Sequence, residues 1–119
     1  MKRYKMAAII IIIHGIIEIG GFFAVLPLYL GAEPSPLVPF DPVPLDVAIG
    51  GVIWGVLRLI AGIGLIKSFK WGLVLSALVC FMAISAMFEH MPFGLMDAVL
   101  GGTALILILT QYFGNKKIV

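Results

Sequence analysis

The apolar positions of this chain fall into four runs, residues 6–28, 47–66, 71–89 and 93–113, separated by short polar or proline-rich breaks. Each run holds about 19 to 23 residues, enough to cross about 30 Å of hydrocarbon at about 1.5 Å per residue. Hydrocarbon offers the backbone no hydrogen-bond partner, so a run that crosses it must be a helix. The pattern predicts an all-α integral membrane protein, one domain spanning 1–119 and built as an antiparallel four-transmembrane-helix bundle. The joints at 67–70 and 90–92 are so short that consecutive helices must lie antiparallel.

Composition agrees: 62% of the residues are hydrophobic and 12% charged, too few charges to cover a water-soluble domain of this size. A net charge of +2 is too small to suggest a nucleic-acid partner; the bilayer is the partner the composition implies. The single cysteine, Cys80, forms no intrachain disulfide and reads as a small buried hydrophobe.

Charge placement changes the picture more than charge number. Lys2, Arg3 and Lys5 precede the first run, Lys67 and Lys70 lie in the second joint, and Lys116 and Lys117 follow the last run. All fall on one side of a four-span layout, which the positive-inside rule makes cytoplasmic. The expected location is the cell membrane, with the N- and C-termini both cytoplasmic. The first run is expected to be retained rather than cleaved as a signal peptide, being too long and broken by His14 and Glu18.

The outer loop, 31–45, holds five of the seven prolines and cannot be helical. It reads as a rigid connector on the outer interface or, more sharply, as a lid over the outer mouth of the bundle. Asp46 is expected to cap the second helix. Trp71, Tyr4, Tyr29 and Tyr112 lie near run ends, as interface anchors do.

Small residues share faces with the polar ones. Gly51, Gly55, Arg58 and Gly62 form one stripe; Gly15, Glu18 and Gly21 form another, with His14 beside them; Gly94, Asp97, Gly101 and Ala104 form a third. Small residues at this spacing let helix backbones approach without lipid between them.

Arg58 is the costly residue. Arginine does not lose its proton in a protein, and at mid-bilayer depth its charge needs a partner. Counted inward from its own end of the helix, Arg58 lies at the depth of His14 and Glu18. The expectation is a Glu18–Arg58 ion pair with His14 as neighbour, serving helix register or lining a polar site for a ligand. A second group, Asp46, Glu89, His90 and Asp97, is placed by the same counting at the outer end. Glu89, His90 and Asp97 there carry a weak signal for a divalent metal such as zinc or manganese. A site shared by His14 and His90 is excluded by an estimated depth difference of about 15 Å.

Met82, Met87, Met91 and Met96 share no clear face and read as gap fillers. There is no phosphate loop, CxxC or serine triad, and no cofactor is implied. The favoured expectation is a small multi-pass protein binding or transporting an ion, a proton or a small amphipathic ligand. With so few helices, a homodimer is the natural way to enclose a path. One alternative is an accessory subunit in which the Glu18–Arg58 pair serves packing alone. The other is a membrane-embedded enzyme acting on a lipid-like substrate, with Glu18 and His14 as acid and base. The His14-x-x-x-Glu18 spacing resembles that of membrane sterol isomerases, although the rest of their pattern is missing. The enzyme reading is the least favoured.

Overall fold

The computed structural model describes residues 3–31, 44–85 and 93–115. They form four helices: α1 (Arg3–Tyr29), α2 (Leu45–Ile66), α3 (Lys70–Ser85) and α4 (Phe93–Asn115). Three segments, Arg3–Tyr29, Leu45–Ile66 and Leu95–Gly114, are long and apolar enough to cross a membrane; Lys70–Ser85 is shorter, at 16 residues. The helices pack in a ring, α1 against α2 and α4, and α3 against α2 and α4, while α1 and α3 barely touch across it.

Burial in this bundle is inverted relative to a soluble one. Many of its buried positions are small or polar: Ala7, Ala8, Ala61, Gly62, Ser76, His14, Arg58 and Gln111. The large aliphatic residues Ile13, Ile16, Ile53, Ile63 and Val74 point outward and are exposed. In water that arrangement would leave continuous apolar surface uncovered on every helix.

Small residues set the helix spacing. A Cβ built on Gly15 would lie 2.7 Å from the carbonyl oxygen of Gly55, so α1 and α2 cross with their backbones in contact. On α2 and α3, Gly64 and Gly72 meet in the same way. The glycine stripes expected from the sequence are only partly used. Among the described residues, no atom lies within 4 Å of a Cβ added to Gly21 or Gly51.

The joint between α2 and α3 closes tightly. Ser68 N–H donates to Leu65 O and Phe69 N–H to Gly64 O, both at 3.0 Å, with Ser68 at φ 60°. This is a Schellman close, in which glycine usually takes the left-handed position. Here a serine takes it, and its Oγ–H donates to Tyr4 Oη at 3.0 Å, tying the start of α1 to the joint. The backbone N–H of Tyr4 lies in the first turn of α1, where no intrahelical partner exists. It donates instead to Gln111 Oε1 at 2.8 Å, so α4 caps α1 from the side. These bonds gather the first turn of α1, the α2–α3 joint and the last turns of α4 at one end. Arg3, Lys5, Lys67 and Lys70 lie at that end, all exposed.

α2 begins one residue before Asp46. Leu45 is its first residue, Pro44 precedes it, and among the described residues no side chain caps it. Asp46 therefore lies in the first turn, where its charge still faces the positive end of the helix dipole.

Candidate functional site

Within this apolar bundle, among the described residues, four ionisable side chains meet. His14 and Glu18 come from α1, one turn apart on the same face; Arg58 comes from α2 and Asp97 from α4. The close α1–α2 crossing at Gly15 and Gly55 sets Arg58 beside Glu18, because Gly15 adjoins His14 and lies one turn below Glu18.

The Arg58 guanidinium donates through Nη1 to Glu18 Oε2. The other Glu18 oxygen, Oε1, lies 3.4 Å from His14 Nε2. That same nitrogen lies 2.8 Å from Asp97 Oδ1. One imidazole nitrogen thus stands between two carboxylates carried by different helices. The His14 and Arg58 side chains are 3% and 5% exposed, against 14% for Glu18 and 24% for Asp97. Asp97 is therefore the most open member of the cluster.

The Glu18–Arg58 pairing expected from the sequence is present, with His14 as its neighbour. The expected position of Asp97 is corrected. Depth counting set it at the outer mouth with Glu89 and His90, but it bonds to His14 in the middle of α1. The counting assumed helices flush at both ends, and they are staggered. With Asp97 level with His14, Phe93 lies level with Glu18, so residues 19–29 of α1 project about 16 Å past the start of α4. Glu89 and His90 lie outside the described residues. Asp46 is described, is exposed, and has no ion pair with this cluster. Gln111 and Ser68, which hold the opposite end together, were not singled out in the sequence. Gln111 continues the Asp97, Gly101, Ala104 and Ile108 stripe at steps of three and four, which is the signal that marks it as inward-facing.

Chemically the cluster is an acceptor of positive charge. Among the described residues, with a neutral imidazole, one arginine stands against two carboxylates, leaving one net negative charge in a poorly screened interior. A single added proton brings the total to zero. His14 Nε2, Glu18 Oε1 and Asp97 Oδ1 also lie within 4.8 Å of one another, a spacing that one metal ion could share. A dication there would have to sit beside the Arg58 guanidinium and would leave the cluster positive.

No family model, no curated protein and no solved structure matches this chain. What the fold and the cluster define together is a class: a small helical bundle with membrane-length helices and a buried His–carboxylate–Arg centre.

Proposed function

We propose that this is a small multi-pass membrane protein whose intramembrane cluster binds a proton and passes it across the bundle. The observation that carries the reading is His14 Nε2 lying 2.8 Å from Asp97 Oδ1 and 3.4 Å from Glu18 Oε1. A proton held on that nitrogen can be handed to either acid without moving a helix. Asp97, the most exposed member, is the entry group. Glu18, fixed by Arg58, is the inner one.

Membrane insertion is supported by the three membrane-length helices and by the outward-facing isoleucines and valines. Cytoplasmic termini are supported by Arg3, Lys5, Lys67 and Lys70 lying at the end where α1 starts. Cell-membrane location and any second copy enclosing the path belong to the same proposal.

The competing reading is an accessory protein in which the four groups serve packing alone. It is favoured by one observation: every buried side-chain nitrogen and oxygen among the described residues has a hydrogen-bond partner. Proteoliposomes carrying an internal pH dye and driven by a potassium–valinomycin potential separate the two. Proton transfer predicts acidification above that of empty vesicles, lost in His14→Ala and Asp97→Asn. Equal rates in wild type and both variants would leave the packing role.

A further inference from the structure

Arg58 does more than neutralise Glu18. Its hydrogen bond to Glu18 goes to Oε2, while Oε1 is turned to His14 Nε2, and Oε1, Nε2 and Asp97 Oδ1 lie within 4.8 Å of one another. Around zinc or cobalt, with bonds of about 2.0 to 2.1 Å, tetrahedral ligand atoms stand about 3.4 Å apart. Two of the separations here are 2.8 and 3.4 Å, so the donor set is one small adjustment from a three-ligand transition-metal site. Imidazole and carboxylate together suit zinc, cobalt or manganese rather than an alkali ion. The feature that opposes such an ion is the guanidinium already seated on one of its carboxylates.

We infer that Arg58 is the specificity-determining residue of the cluster: its fixed charge admits a proton and excludes a divalent metal. The inference rests on the reading of the cluster as a cation site. Two charges repelled by a third at this range, in a poorly screened interior, weaken metal binding by about a hundredfold or more. Neutralising position 58 while keeping the other three groups therefore creates a metal site where the natural chain has none.

The test is Co²⁺ titration of the purified full-length protein in detergent, followed by the visible bands of tetrahedral cobalt, with Zn²⁺ competition. The expected result is no bands in wild type or in Arg58→Lys. Arg58→Met should bind one equivalent at least a hundredfold more tightly, and lose it in the Arg58→Met/His14→Ala double variant. Zn²⁺ should also raise the melting temperature of Arg58→Met but not of wild type. Where Arg58→Met does not fold, Arg58→Gln, whose amide can still reach Glu18, takes its place. Cobalt bands in wild type that vanish in His14→Ala would overturn the inference. So would equal binding by Arg58→Lys and Arg58→Met, or a folded neutral variant that binds nothing. Proton flux is read separately. Flux without the cobalt pattern overturns the selector alone; the cobalt pattern without flux overturns proton transfer alone.

Discussion

Replacing Gly15 by alanine strikes the contact on which the cluster depends. The added Cβ would meet the Gly55 carbonyl oxygen at 2.7 Å, whereas ordinary contact begins at 3.4 Å, a shortfall of 0.7 Å. It would also press on Arg58 Cβ at 3.2 Å and Leu59 Cδ2 at 3.3 Å. The Gly55 oxygen is backbone, so the two helices must separate or twist. Overpacking of this kind costs about 1–3 kcal/mol. The control is Gly21→Ala on the same helix, whose Cβ meets nothing within 4 Å among the described residues. Ala exceeds Gly in helix propensity by about 1 kcal/mol, so that change should be neutral or stabilising. The propensity gain is common to both variants, so unfolding in detergent, followed by circular dichroism, should place Gly15→Ala about 1–3 kcal/mol below Gly21→Ala. Equal stability of the two would mean that α1 and α2 do not cross at Gly15, and the positioning of Arg58 beside Glu18 would lose its basis.

Other substitutions probe the ends and the charges. Ser68→Ala keeps the left-handed backbone at φ 60° but removes the hydroxyl bond to Tyr4, and should cost about 1 kcal/mol. Ser68→Gly loses the same bond while relieving the backbone, so its melting point should lie above that of Ser68→Ala. Gln111→Leu strands the buried Tyr4 N–H and should destabilise by about 1–3 kcal/mol, measured by the same unfolding assay. Arg58→Met takes the guanidinium from Glu18 Oε2 at a cost of about 3–5 kcal/mol, and adding Glu18→Gln should restore most of it. A double variant no better than Arg58→Met would show that the pair is not the source of the loss.

Much of this architecture is legible in the residues. Apolar length sets the helices, and their positions follow from the breaks at Lys67–Lys70 and Pro92. Arg58 demands an acid, and counting residues from the ends of two adjacent helices finds Glu18. The same counting fails for Asp97, because the offset of α4 along α1 is set by contacts far from it, such as Tyr4 N–H with Gln111 Oε1. Helix offset leaves no mark in hydrophobic length. The inward stripe running from Asp97 to Gln111 does name the face of α4 that turns into the bundle, toward α1 at Asp97 and Gln111 and toward α3 at Gly101, but not its depth. Gly21 and Gly51 show the converse limit. Their spacing marks a close-packing stripe, yet among the described residues neither has a neighbour within 4 Å of an added Cβ.

Proton binding by the cluster turns on the protonation of one imidazole. Nitrogen-15 NMR of the His90→Gln protein in lipid bilayers leaves His14 as the sole imidazole. The expected His14 Nε2 signal exchanges between protonated and neutral forms as the bilayer sample is moved from acid to alkaline, and shifts in Asp97→Asn. A single unchanging form, indifferent to Asp97, would contradict proton binding by the cluster.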